Sequence, residues 1–306
     1  MLNYVSLMST GFSGSTLISM LLSSQKHVVG FGDTYFSVQN NPANLCTCGQ
    51  PYVDCPVRTA ISEHAKANGL PDFSFFQMPA VPTPRFLNTQ QRAHWPLRKA
   101  AFLPAVRAVP TGVRRLLFRR FYLETRLMLE ALEAFGDYET YFDGSKSLVR
   151  LELLRSAGQP IRALHMVRHP GAYLYHFQRK GESSLDARLR GWLRYHTRAR
   201  QFRERLPAGA YKAATYESMV GDPAEFLRDI AGFLKVSEID DSEPVMLRPE
   251  SVHVIGNSMR LRSREIVNMS NRWRKHLKSD WVEAAERVVE ETPWLSRLLV
   301  DGIDVD

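Results

Sequence analysis

Tyr4-Val5-Ser6-Leu7-Met8-Ser9-Thr10-Gly11-Phe12-Ser13-Gly14-Ser15-Thr16-Leu17-Ile18 is the stretch whose reading decides the fold. The apolar run from Tyr4 to Met8 predicts a buried strand, and Leu17, Ile18, Leu21 and Leu22 then recur at helical spacing. Between the two, Phe12 apart, lie only small and hydroxyl residues. Gly11 and Gly14 permit a sharp turn in which successive N–H groups point inward, and the helix that follows adds its positive end. The pattern predicts a phosphate cradle. Gly14 is followed by Ser15 and Thr16, where a nucleoside-triphosphate loop carries a lysine. The cradle is therefore expected to serve a phosphate-bearing donor other than a nucleoside triphosphate.

Outward from this stretch, strands and helices alternate. His27–Phe31, Thr140–Phe142, Arg162–Val167 and Tyr211–Thr215 read as strands. Ser147–Ala157, a long segment with Leu185, Leu189, Trp192, Leu193, His196, Ala199 and Phe202 on one face, Pro223–Leu234 and Lys278–Glu291 read as helices. Arg98–Phe135 reads as a helix in two pieces, interrupted near Pro110-Thr111-Gly112. The expected fold class is α/β: a parallel sheet flanked by helices, P-loop nucleotide-kinase-like, with an inserted helical region. One domain is expected over residues 1–306, with 70–135 as a basic helical insert on the acceptor side. Ligands of such sheets bind at the carboxyl ends of the strands.

The chain has 306 residues, 44% of them apolar, enough for a full core. It contains no apolar run of the ~20 residues a transmembrane helix needs. The first strand begins at about Asn3, which leaves no room for a signal peptide. The expectation is a cytoplasmic protein. The net charge of +8 is concentrated: Arg85–Arg126 holds ten Arg/Lys against one acid, Glu124, and the remainder is nearly balanced. A charge this local argues against a general nucleic-acid binder and for a local anionic or membrane-facing surface. In that segment Arg and Lys alternate with Phe86, Trp95, Phe102, Leu116, Phe118 and Tyr122. The pattern fits an amphipathic cover. It also fits peripheral membrane contact that recruits an anionic or lipid-linked acceptor.

Five further motifs fall beside strand ends. Arg168-His169-Pro170 ends a strand, with His176 eight positions after Arg168. Tyr216-Glu217-Ser218 follows another and leads into Asp222-Pro223. Gly256-Asn257-Ser258-Met259-Arg260 forms a late loop with Trp273 beyond it, Asp143-Gly144-Ser145-Lys146 follows a third strand, and Gly32-Asp33 a fourth. Together with the first loop, these segments resemble the PAPS-dependent sulfotransferases, over the whole chain except about Leu70–Phe135. The resemblance implies a transferase moving a sulfuryl group from PAPS to a hydroxyl or amine of a carbohydrate, lipid or small-molecule acceptor, releasing PAP.

The resemblance also implies residue roles. Gly11, Phe12, Ser13, Gly14, Ser15 and Thr16 hold the 5′-phosphosulfate, and Arg168 and His176 hold the 3′-phosphate. Gly256, Asn257 and Arg260 close over the donor, and Tyr216 stacks or packs on adenine. Asp33 is the implied general base, and Lys146 stabilises leaving charge. Two positions depart from the family pattern: Phe12 stands where a Lys or Arg precedes the Ser-Gly-Ser-Thr core, and His176 stands for Ser. The competing readings are a P-loop kinase-like phosphotransferase and a catalytically weak PAP(S)-binding protein.

Cys46-x-Cys48-Gly49-x5-Cys55-Pro56 resembles an insert of bacterial members of this group. Three thiols with His64 as a fourth ligand can bind zinc, but the spacing is not a standard zinc pair, and structural cysteines or a Cys48–Cys55 pair are the default reading. No metal is assigned.

Overall fold

Five strands pair in parallel in the order β2-β3-β1-β4-β5, with β1 Asn3–Met8, β2 Val28–Gly30, β3 Thr140–Asp143, β4 Ile161–Val167 and β5 Tyr211–Thr215. The structure is a computed structural model that describes residues 2–32, 45–73, 103–181, 184–248, 252–261, 265–266 and 271–303. β1 lies in the middle, with Tyr4 opposite Tyr141 on one side and Ile161 on the other. Its strand period of two sends side chains to both faces. Val5 and Leu7 pack in one core with Leu17, Ile18 and Leu21 of α1 (Ser15–Ser23), while Tyr4 and Met8 belong to the other. Both faces are therefore covered, as a parallel sheet requires.

The first face is completed by α10 (Pro223–Leu234), whose Phe226, Leu227 and Ile230 are fully buried. Asp222 caps this helix from its side chain onto the Glu225 N–H at 2.8 Å, the start the sequence predicts. The second face is covered by α2 (Pro56–Ala67), α5 (Arg119–Phe135), α6 (Leu148–Ser156) and α8 (Leu185–Arg200). The chain between β2 and β3 contains more helix pieces than the two expected. α3 (Leu103–Ala108) and α4 (Thr111–Leu117) precede α5, because Phe118 breaks the helical run as well as Pro110. This segment shares the main core through Leu103, Val106, Phe118 and Phe121.

Three more helices follow strand ends or close the chain: α7 (Pro170–Gln178), α9 (Tyr216–Gly221) and α12 (Ser279–Glu290). α11 (Arg272–His276) and α13 (Pro293–Asp301) complete the described residues. α13 is absent from the sequence reading. It returns the chain to the sheet edge, where Ile303 bridges Ala214. No helix among the described residues is long and apolar enough to cross a membrane.

Candidate active site

All five strands run the same way, so the loops after Met8, Gly30, Asp143, Val167 and Thr215 share one edge of the sheet. β1 has β3 on one side and β4 on the other, which opens a crevice between diverging loops at that edge.

The first loop is built as the sequence predicts. Gly14 is the N-cap of α1 at φ 82°, and no side chain caps the helix. The first intrahelical bond runs from the Ile18 N–H to the Gly14 carbonyl. The amides of Ser15, Thr16 and Leu17 therefore precede the helical ladder and, with the helix dipole, face an anion site. Gly14 is required twice over: a side chain would be strained at this φ, and a Cβ would sit 2.4 Å from the Tyr216 ring. α6, α7, α9 and α10 are instead capped by Ser147, His169, Thr215 and Asp222.

Phe12 and Lys146 are non-glycine residues in the left-handed region, at φ 65° and 60°. Each costs on the order of 1–3 kcal/mol, and such strain gathers at working sites. The two loops are tied together. The Ser9 N–H donates to the Tyr195 hydroxyl and that hydroxyl donates to the Lys146 carbonyl, each at 3.0 Å. The Lys146 ammonium reaches Ser15 Oγ at 3.3 Å. Lys146 thus stands at the first turn of α1.

Arg168 donates to the Phe12 carbonyl at 2.9 Å, and its guanidinium lies 4.1 Å from the centroid of the Tyr216 ring. Its Nε has no hydrogen-bond partner among the described residues, nor has Nε2 of His176. The His176 ring stacks on Phe12 with centroids 3.4 Å apart, and the Lys180 ammonium is 5.0 Å from the same Phe12 ring. Burial, then Lys180, Arg179 and Arg168, push His176 below its ordinary value. Lys180, which the sequence reading did not single out, thus sets a cation beside position 12. Its place one helical turn beyond His176 was the available signal.

Other predicted residues take different parts. Tyr216 is buried, with its edge on Gly14 and Arg168 over its face. His169 caps α7 by accepting the Gly171 N–H at 3.1 Å and stacks on Trp273 at 4.4 Å. Burial, chiefly, pushes it down to about 4. Trp273 is packing, as expected. Gly256 lies over Thr16, where a Cβ would meet Oγ1 at 2.6 Å, and the Asn257 N–H donates to that hydroxyl at 3.2 Å. The Arg260 guanidinium, expected to fork a phosphate, instead donates to the carbonyls of Gly256, Asn257 and Leu45. It braces the loop from behind, because the turn leaves three carbonyls facing its buried side chain. Asp33 lies outside the described residues. Its neighbour Gly32 bridges Ile255, and Gly144 approaches Gly32 so closely that a Cβ would meet its carbonyl at 2.7 Å.

Behind the loop runs a buried hydrogen-bonded chain. Ser13 Oγ contacts Thr10 Oγ1 at 2.8 Å, Thr10 contacts His196 at 3.4 Å, His196 contacts His165 at 2.8 Å, and His165 contacts the Tyr211 hydroxyl at 2.7 Å. Burial pushes His165 down to about 3 and His196 well below its ordinary value. Both imidazoles are neutral and paired, which fits core histidines rather than an accessible base.

Asp143 is enclosed, accepting from Tyr4 Oη at 2.5 Å and Arg150 Nε at 2.9 Å. Of the basic segment, residues 85–102 lie outside the described residues. Arg107 and Arg114 turn inward to Glu152, Arg120 pairs with Asp72 and Glu124, and Arg115 donates to the Ala157 carbonyl. Among the described residues, Arg107, Arg114 and Arg120 are thus paired with acids of the protein itself, two of them with the buried carboxylate of Glu152.

The sequence profile described as "Sulfotransferase family" matches residues 8–241. Among solved structures, the sulfotransferase domain of the Synechococcus PCC 7002 olefin synthase aligns at 19% identity and TM-score 0.49, covering 94% of each chain. The sulfotransferase domain of the curacin biosynthetic pathway aligns at 14% and 0.48, covering 94% of this chain and 98% of that one. A Mycobacterium avium sulfotransferase aligns at 16% and 0.46, covering 95% and 76%. No curated protein matches. With three quarters of its length matched by that profile and its strand-end loops converging on one anion cradle, this chain belongs to the sulfotransferase family.

Proposed function

We propose that the protein transfers a sulfuryl group from PAPS to a hydroxyl or amine acceptor. The observation that carries this reading is the uncapped start of α1, ringed by Lys146, Arg168, His176 and Lys180. One helix terminus with four basic side chains suits a ligand carrying two separate anionic groups. The amides of Gly11–Thr16 and Lys146 receive the 5′-phosphosulfate. Arg168, His176 and Lys180 receive the 3′-phosphate, with Tyr216 holding the Arg168 plane rather than stacking on adenine. Gly256, Asn257 and Arg260 act on the donor site through Thr16.

The donor supplies an activated sulfuryl group. An acceptor oxygen forms a bond to its sulfur in line with the departing phosphate oxygen, and that S–O bond breaks. Asp33, the residue after Gly32, takes the acceptor's proton as the bond forms. Lys146 stabilises the charge that collects on the leaving phosphate. PAP and the sulfated acceptor are the products. A membrane-associated acceptor would meet the exposed Arg115 and Arg119 beside Val113 and Leu116, which are themselves exposed.

Calorimetry tests the reading directly. PAP binds at micromolar affinity, ATP does not stabilise the protein against heat as PAP does, and Arg168→Ala weakens PAP at least about tenfold, the value of one charge-assisted contact. Unchanged PAP affinity in that variant removes Arg168 from the site, and stabilisation by ATP rather than PAP favours the phosphotransferase reading.

A further inference from the structure

Cys46, Cys48 and Cys55 meet His253, with the four ligand atoms all within 4.8 Å of one another. The histidine comes from 198 positions beyond Cys55. Residues 45–51 fold into a knuckle: Leu45 bridges Pro51, the Cys46 N–H donates to the Gln50 carbonyl at 2.8 Å, and the Gly49 N–H returns to the Cys46 carbonyl at 3.0 Å. This turn presents Cys46 and Cys48 together, and Cys55 joins them from the start of α2. His64, the fourth ligand suggested by sequence spacing, points elsewhere and faces Glu130 at 3.8 Å.

The distances fit a tetrahedral ion. Cys46 and Cys55 sulfurs are 3.9 Å apart, and zinc bonds of about 2.3 Å separate neighbouring sulfurs by about 3.8 Å. Cys55 Sγ and His253 Nδ1 are 3.3 Å apart, against about 3.5 Å for a sulfur–imidazole pair on one zinc. A disulfide would need sulfurs near 2.05 Å, and all three cysteines are free. Outer contacts hold the ligands. Arg58, fully buried, donates to Cys46 Sγ at 3.2 Å and to the His253 carbonyl at 2.6 Å. A cation placed there favours thiolate, and such support orients metal ligands.

We propose that Cys46, Cys48, Cys55 and His253 form a structural zinc(II) site. Three sulfurs and one imidazole are a zinc donor set, and four protein ligands close the site to substrate. Its role is mechanical. Thr47 Oγ1 donates to the Val252 carbonyl at 2.6 Å and accepts the Val254 N–H at 2.9 Å. The Ile255 N–H donates to the Phe31 carbonyl, and Asn257 reaches Thr16. The metal fastens the knuckle to residues 252–257, and through them it holds both the loop over α1 and the segment that leads into Asp33.

The test uses the full-length protein, purified under reducing conditions from zinc-containing medium. Elemental analysis finds about one zinc per chain, and Cys55→Ser and His253→Ala each bring it below about one fifth. Because those variants can fail to fold, the intact protein is also stripped with a chelator and titrated with cobalt(II). A tetrahedral thiolate spectrum appears, saturates at one equivalent and is reversed by zinc. Zinc below about a tenth per chain with no such cobalt spectrum overturns the proposal. So does mass-spectrometric detection of a native disulfide among these cysteines in protein kept reduced throughout. Neither readout depends on the sulfuryl donor.

Discussion

Phe12 shows how one side chain redistributes charge around a site. An aromatic residue in the left-handed region is held there by His176 on its ring, with Lys180 close by. Lys180 brings a cation to the Phe12 ring from the turn after α7. In the proposed role, His176 is a proton-linked phosphate ligand. Without anion its pKa lies below the ordinary 6.5, through burial and the nearby Lys180, Arg179 and Arg168. A phosphate dianion raises it, so binding takes up a proton as pH falls through the interval between the two values. PAP affinity should therefore strengthen by up to about tenfold from pH 8 to pH 6.5, and His176→Asn should flatten that slope while retaining a hydrogen-bond donor. Calorimetry in buffers of differing ionisation enthalpy measures the proton uptake directly. A wild-type slope retained in the variant assigns the proton elsewhere.

At the scale of elements, β3 and α6 depend on one enclosed ion pair. Asp143 and Arg150 are almost without solvent exposure, and Tyr4 of β1 donates to the same carboxylate. Removing one member takes the counterion from a buried charge, typically a loss of 3–5 kcal/mol. Asp143→Asn should cost about 3 kcal/mol in urea unfolding. It should also loosen the Lys146 turn, since Asp143 accepts the Ser145 N–H at 3.0 Å. A loss below about 1 kcal/mol would show that the pair is replaceable.

The same scale shows what the sequence reveals. Strands β1 to β5 and the Asp222 cap are legible because apolar runs and capping residues are local signals. The cradle is legible for the same reason. Lys180, the brace role of Arg260 and the meeting of His253 with three cysteines are not, because each depends on where distant turns arrive. The break at Phe118 has no Gly or Pro to announce it, and α13 follows α12 too closely for periodicity to separate them.

Across the whole molecule, buried neutral histidines set a limit at acid pH. Burial pushes His165 down to about 3 and His169 to about 4, from an ordinary 6.5. The unfolded chain binds protons that the folded one refuses, so their contribution is complete above pH 6.5 and is lost as pH falls toward those lower values. For His169 the loss across that window is on the order of 3 kcal/mol. The unfolding midpoint should drop by several degrees from pH 7 to pH 5. His169→Asn keeps a cap acceptor for Gly171 and should shallow the fall, while the lost stacking on Trp273 lowers stability by a similar amount at every pH. Equal slopes for the two proteins would place the acid sensitivity in other groups.

The chain from Ser13 to Tyr211 has one further property. Each of its four links joins two groups that can give or take a proton, yet each neutral imidazole has a single N–H, so the three links through the histidines point the same way. With Tyr211 as the first giver, His165 and His196 both carry their hydrogen on Nε2, and Thr10 receives from His196. With the order reversed, both carry it on Nδ1, Thr10 gives to His196, and Ser13 must give to Thr10. The tautomers of the two imidazoles and the direction of a phenol at the far edge of the sheet are therefore set together, as one unit.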